Sequence, residues 1–281
     1  KLYKEIGKAN VLINCPRKLF TNELISLAKN MEWVHTAAAG IEEYLVSNFV
    51  NSKIIFTNGK ILQGPEVADH ALALLLSLSR NLKAFSKGKN TKNLRRPFEL
   101  YKKQALVVGL GGIGTCILDR LDSFGMQVDV ISEEMPPLLS KIRKFFELKD
   151  LLKISHKYDA IICSAPLTKK TKKLFNFNFF KQMKKNSIFI NVSRGPLVDT
   201  KALIKNNLYK KFKGIGLDVV EEEPLPKNHK LRKANNVVLT NHIAGLSDNN
   251  RHRAYELLIK NIERYLNSKP LLNLVDKAKG Y

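Results

Sequence analysis

The segment Gln104 to Phe124, QALVVGLGGIGTCILDRLDSF, constrains the fold more than any other part of the chain. Five residues of strand character run into Gly109, Gly111 and Gly114, and an apolar-periodic stretch from Thr115 to Phe124 follows as a helix. A strand, a tight turn and a helix in that order form half of a βαβ unit, which needs a parallel sheet with helices on its faces. The glycines let the backbone come close to a pyrophosphate, whose charge meets the N–H groups and positive dipole end of the helix. Gly109, Gly111, Gly112, Ile113 and Gly114 are therefore candidate dinucleotide contacts.

The same rhythm runs through the chain. Val11 to Asn14, Trp33 to Thr36 and Lys53 to Thr57 read as strands, with Thr21 or Asn22 capping a helix between the first two. Pro65 opens a helix that reaches about Leu82, because the first helical N–H needs no intrahelical partner. After a polar, basic stretch from Ser86 to Pro97, further strands are expected at Gln104 to Val108, Gln127 to Ile131, Ala160 to Cys163, Ser187 to Val192, Gly214 to Val219 and Val237 to Thr240. At 281 residues the chain exceeds the usual ~100–150 of one domain. The expected architecture is a Rossmann-type doubly wound nucleotide domain over 83–245, with a smaller flavodoxin-like α/β domain from 1–82 and 246–281. The helix Asn249 to Leu266 is expected to return to that smaller domain.

Composition narrows the partners. The net charge of +23 invites a nucleic-acid reading, but lysines outnumber arginines by more than three to one and are scattered beside or between predicted elements. That is the pattern of solvated surfaces, so no nucleic-acid partner is expected; the field still favours encounter with anions. The richest apolar run, Ala71 to Leu78, is far short of the ~18 residues of a membrane span, and none is expected. Cys15, Cys116 and Cys163 are odd in number and widely spaced, which argues against a disulfide framework or a metal site and for a reducing cytoplasm. The chain opens on Lys1, and its first residues carry no signal-peptide apolar stretch.

Three more strand ends carry chemistry. The strand after the glycine turn ends at Ile131, where an acid would hold the adenine ribose; Ser132 stands there, with Glu133 and Glu134 next. Two glutamates repel a 2′-phosphate, which points to NAD, with NADP as the alternative. Reduction of a 2-oxo acid needs a cation for the carboxylate, a proton donor for the carbonyl oxygen and a group that keeps the donor charged. Arg194 suits the first task, since its planar fork matches a carboxylate. His242 paired with Glu223 suits the other two, because a neighbouring carboxylate favours imidazolium. His35, His70, His156, His229 and His252 lack this setting and read as structural or exposed.

An ordered series from about Trp33 to Asp248 resembles the D-isomer-specific 2-hydroxyacid dehydrogenase family. It runs through Ala39-Gly40-Ile41, Val67 to Ala73, the glycine turn, Pro166-Leu167-Thr168 with Thr171, Asn191-Val192-Ser193-Arg194-Gly195, Leu217-Asp218-Val219, Glu223-Pro224 and His242-Ile243-Ala244-Gly245. The resemblance implies that Arg194 binds the substrate, His242 is the acid/base and Glu223 its partner. It further implies that Asp218 meets the nicotinamide carboxamide, that Ala165, Pro166, Thr171, Val192, Ser193 and Ala244 line the cofactor groove, and that backbone N–H groups near Ala39 and Gly40 complete the carboxylate site. The implied substrate is a small 2-oxo or 2-hydroxy acid, glyoxylate or hydroxypyruvate above others, with Ala37-Ala38-Ala39 supplying small side chains near it. A homodimer is implied as well, with the helix after Pro65 and the segment to about Leu100 as contact regions. Ser132 departs from the family pattern, and the segment before Val11 is brief for the family's opening βαβ. Two alternatives stay open: 3-phosphoglycerate dehydrogenase-type activity, and a non-catalytic corepressor-like protein that senses NAD.

Overall fold

The structure is a computed structural model that describes residues 2–86, 88, 95–133 and 141–280. The chain divides into two compact units, Lys1–Gln63 with Ser247–Tyr281, and Gly64–Leu246. In the smaller unit β1 (Val11–Ile13), β2 (Trp33–Thr36) and β3 (Ile55–Asn58) form a parallel sheet in the order β1-β2-β3. Thr21 caps the Asn22–Leu27 helix by accepting from the Leu24 amide at 3.1 Å, as its sequence position predicts. Phe20, Tyr44, Phe49 and Phe56 pack edge to face or tilted at 5.0–5.7 Å between centroids and fill the core. The C-terminal segment belongs to this unit: Val275 donates to the Phe56 carbonyl at 2.9 Å, and the Tyr265 hydroxyl bonds Glu32 at 2.7 Å.

Seven parallel strands build the larger unit: β4 (Gln104–Val108), β5 (Gln127–Ile131), β6 (Lys144–Phe146), β7 (Ala160–Cys163), β8 (Ile188–Asn191), β9 (Gly214–Leu217) and β10 (Val237–Leu239). Their order is β10-β9-β8-β7-β4-β5-β6. The chain thus winds outward from β4 in one direction and resumes at β7 in the other, which opens a crevice beyond the carboxyl ends of β4 and β7. Both faces are buried, so the strands read as continuous apolar runs rather than alternating ones. Leu106, Val108, Ile161, Cys163 and Phe189 join one core, whereas Ala105, Val107, Ala160, Ile162, Ile188 and Ile190 join the other. The sequence carries no strand signal for the short edge strand β6, whose Lys144 is exposed and whose two phenylalanines are only partly buried.

One expected boundary moves. The sequence pattern puts the Gly64–Ser79 helix in the smaller domain, with the break at 82/83; the structural break falls at 63/64. The cause is its apolar face, where Val67, Ala71, Leu74, Leu75 and Leu78 are buried in the second core of the large sheet. Gly214 and Gly216 of β9 make room for it, because a Cβ at Gly214 would lie 2.6 Å from Leu78. Arg120, on the Gly112–Ser123 helix, holds the other end, bonding Asp69 at 2.6 Å and the Pro65 carbonyl at 3.1 Å. The helix also ends three residues early, at Ser79, and Asn81 turns left-handed before a short turn of helix at Leu82–Phe85.

Candidate active site

The glycine turn leaves β4 and opens the Gly112–Ser123 helix. Gly109 has φ +97°, and a Cβ there would sit 2.5 Å from the backbone of Ala165, so only glycine lets the β4 turn lie against the end of β7. Ser164 fastens the two, its hydroxyl donating to the Gly109 carbonyl at 2.8 Å. Gly114 is filled differently: its Cβ would strike the Gly109 carbonyl oxygen at 2.0 Å. Gly111 is the contrast, because a Cβ there would meet nothing within 4 Å, and no side chain caps the helix that follows. An open approach to uncapped amides at the start of a twelve-residue helix fits a dinucleotide pyrophosphate.

Around this turn the other cofactor candidates fall at strand ends. Ala165, Pro166 and Thr171 lie in the loop after β7, where the Thr171 hydroxyl donates to the Pro166 carbonyl at 2.7 Å and fixes the loop's path. Val192 and Ser193 follow β8, and both are buried. Ser132 follows β5 and donates its amide to the Phe146 carbonyl. Glu133 is exposed and pairs with Lys170 at 3.2 Å, while Glu134 lies outside the described residues.

Arg194 is held by a turn that the sequence Asn-Val-Ser-Arg-Gly encodes. Fully buried Asn191 ends β8; its side-chain oxygen accepts from the Ser193 amide (3.1 Å) and hydroxyl (2.8 Å), and its amide donates to the Arg194 carbonyl at 2.9 Å. The Arg194 guanidinium donates to the Ser193 carbonyl at 2.8 Å. Next, Gly195 brings this turn against the segment after β9: a Cβ would lie 1.9 Å from the Val220 carbonyl oxygen. The close approach is what sets Arg194 beside the segment that carries the acidic run.

His242 and Glu223 meet directly, Nδ1 to Oε2 at 2.9 Å, and the other Glu223 oxygen accepts from the Val220 amide at 3.0 Å. Both are about half exposed. Occupation of Nδ1 leaves Nε2 as the ring nitrogen directed away from the carboxylate. His242 itself takes a left-handed backbone, φ +55°, and its amide donates to the Asp218 carbonyl at 2.8 Å.

Asp218 anchors this loop. Its Oδ1 accepts from the Thr240 hydroxyl (2.6 Å) and the Ile243 amide (3.0 Å), and Oδ2 accepts from the Ala244 amide (3.0 Å). Burial alone would raise its pKa, but hydrogen bonds from His70, Thr240 and the two amides outweigh that and hold the carboxyl below the usual range. His70, read from sequence as structural or exposed, enters the site's support: Nε2 lies 2.9 Å from the Thr240 hydroxyl and 3.4 Å from Asp218 Oδ1. No spacing rule in the sequence links a mid-helix histidine to residues 148 and 170 positions later; only the packing of the Gly64–Ser79 helix does. Ala39 and Gly40, the remaining substrate candidates, lie in the smaller unit after β2, where the Ala39 carbonyl accepts from the Asn58 side chain at 2.8 Å.

The chain is similar to known proteins in sequence and in fold. Residues 72–244 match the family described as D-isomer specific 2-hydroxyacid dehydrogenase, NAD binding domain. The chain is 32% identical over 263 residues to a glyoxylate reductase of Thermofilum pendens, covering 91% of this chain and 78% of that one. A D-isomer specific 2-hydroxyacid dehydrogenase from Xanthobacter autotrophicus Py2, solved with NADPH and MES, superposes with a TM-score of 0.82 at 25% identity, over 97% of this chain and 85% of that one. The D-lactate dehydrogenase of Aquifex aeolicus, solved with NAD and lactic acid, gives 0.79 at 25% identity, over 98% and 89%. Among the described residues no helix is long and apolar enough to cross a membrane. The chain belongs to the D-isomer specific 2-hydroxyacid dehydrogenases, NAD(P)-dependent oxidoreductases acting on CH–OH donors.

Proposed function

We propose that this protein reduces a small 2-oxo acid of the glyoxylate or hydroxypyruvate kind with NADH, with Arg194, Glu223 and His242 as its reacting set. The observation that carries the reading is the 2.9 Å pair between His242 Nδ1 and Glu223, one strand end away from Arg194. Bound NADH supplies the hydride that reduces the substrate carbonyl carbon. Arg194 fixes the carboxylate and polarises the carbonyl. Glu223 holds the His242 ring through Nδ1 at 2.9 Å, which leaves Nε2 to donate a proton to the carbonyl oxygen. Asp218 and His70 act as positioning residues, through the amides and hydroxyl of the His242 loop. Glu133 at the ribose end favours NADH over NADPH, because it opposes a 2′-phosphate. Small size of the substrate is supported by Ala37-Ala38-Ala39 and by the relative named above.

A homodimer, tested by light scattering on the purified protein, completes the proposal, together with a reducing cytoplasm, which three free cysteines suit. The chemistry is tested by following absorbance of NADH and, separately, NADPH over glyoxylate, hydroxypyruvate, pyruvate and bulkier oxo acids. Turnover is expected on the small acids and lost in both Arg194→Ala and His242→Ala. Dinucleotide binding with no turnover on any acid would refute the reading and favour a non-catalytic NAD sensor.

A further inference from the structure

At the opposite end of the large sheet, before the first residues of β9 and β10, lies a second cavity of about 320 Å³. Its walls include Asn81, Lys83, Arg95, Lys210, Lys213 and Lys233, and among the described residues no carboxylate lines it. The lack of acid has a source in the sequence. The lining comes from three stretches, 70–98, 200–217 and 224–247, none of which contains an Asp or Glu.

The inner cations are held by neutral oxygens. Lys213 is 4% exposed, and its ammonium donates to the Asn81 side chain at 2.7 Å and to the Arg95 and Arg96 carbonyls at 2.9 Å. Arg95 in turn donates to the carbonyls of Lys211 and Lys210. These bonds orient the side chains without cancelling their charge. Burial, then the nearby Arg95 and Arg80, pull the Lys213 pKa down to about 8, so the cations destabilise one another where they stand. A bound anion would relieve that repulsion. Lys210 and Lys233 are exposed and free to swing toward it.

We propose that this cavity is a binding site for a small molecule carrying two or more phosphate groups, separate from the catalytic end of the sheet. Its volume lies at the lower end of ligand pockets, ~300–1,000 Å³, which admits a compact polyphosphate or phosphorylated metabolite. Lysines act as point charges toward phosphate, and several cations on different walls suit a multiply charged anion better than a single carboxylate.

The test is calorimetric titration of the full-length protein with inorganic pyrophosphate, with sulfate at matched ionic strength as the comparison. Pyrophosphate should bind, sulfate more weakly, and the affinity for pyrophosphate should fall at least about tenfold in Lys210→Gln/Lys233→Gln. The same affinity should survive Arg194→Gln and Gly111→Val, which alter the substrate and dinucleotide ends of the catalytic site. Melting supplies a second reading: pyrophosphate should raise the wild-type Tm and leave that of the double variant where it was. Binding that disappears with Arg194→Gln or Gly111→Val places the anion at the catalytic end and overturns the proposal. Equal affinity in the double variant, or no heat with millimolar pyrophosphate, overturns it as well.

Discussion

Adding one methyl group at Gly195 should uncouple Arg194 from the rest of the site. The Cβ of Gly195→Ala would lie 1.9 Å from the Val220 carbonyl oxygen and 2.2 Å from its carbon, and both atoms are backbone, so no flexible side chain can yield. Real Cβ contacts do not fall below 3.0 Å, and the two segments must therefore part by about 1 Å. That displacement moves Arg194 away from the segment that carries Glu223, whose carboxylate is fixed through the Val220 amide. A shift of about 1 Å in a reacting constellation costs about 10²-fold in rate, or ~2.7 kcal/mol of transition-state stabilisation. Overpacking adds a folding cost of about 1–3 kcal/mol. The measurement is kcat/KM with NADH and glyoxylate well below the variant's Tm, alongside the NADH Kd from its fluorescence. A large loss of kcat/KM with a nearly unchanged Kd is expected, since the glycine turn after β4 is untouched. A variant that keeps kcat/KM within threefold of wild type would refute the claim that this close approach positions the arginine.

Three other perturbations probe different links. Gly111→Val places its side chain in open space before the uncapped helix, so Tm should hold while the NADH Kd rises at least about tenfold; an unchanged Kd would remove Gly111 from the cofactor site. His70→Phe should lower kcat about tenfold by releasing Thr240 and Asp218, with cofactor affinity largely kept, and His70→Gln should restore part of the loss; kcat retained in His70→Phe would confine His70 to the core. His35 is buried beside Thr57, whose hydroxyl accepts from the Trp33 indole at 2.8 Å and lies 2.8 Å from His35 Nδ1. Burial lowers the His35 pKa from 6.5 to about 4. Between those values the unfolded chain binds the extra proton, so stability falls as pH drops from 6.5 toward 4. Denaturant melts should show a shallower acid-side slope in His35→Gln than in the wild type, with the remainder carried by other groups such as His229, whose pKa burial also lowers.

What could be read from sequence was whatever local chemistry encodes. The strand-glycine-helix unit at 104–124 was legible because a buried parallel strand and a tight turn leave residue types that few other structures need. Asn191 to Gly195 was legible for the same reason, since its hydrogen bonds close within five residues. The helix at Gly64–Ser79 was legible as a helix and misplaced as to domain. Its apolar face says that it packs, and nothing in its own residues says on which sheet; glycines 214 and 216, some 140 residues later, decide that. β6 is too short and too exposed to leave a pattern.

Asp218 shows why residue identity alone underdetermines role. The family resemblance assigns it to the nicotinamide carboxamide, which needs acceptor capacity pointing at the cofactor. A carboxylate has about four lone-pair sites. Three take hydrogen bonds from Thr240, Ile243 and Ala244, and His70 lies at 3.4 Å. The chain spends the charge of a residue 2% exposed on its own loop, and an unmade bond there would carry the full desolvation cost of a buried carboxylate. That is the physical reason a helix histidine belongs to the site: His70 helps keep Asp218 charged, Asp218 holds the amides on either side of the His242 turn, and the turn aims Nε2. Removing charge at Asp218→Asn should therefore disturb the proton donor more than dinucleotide binding, and a pH–rate profile that shifts while the NADH Kd stays put is the signature that separates positioning from a direct cofactor contact.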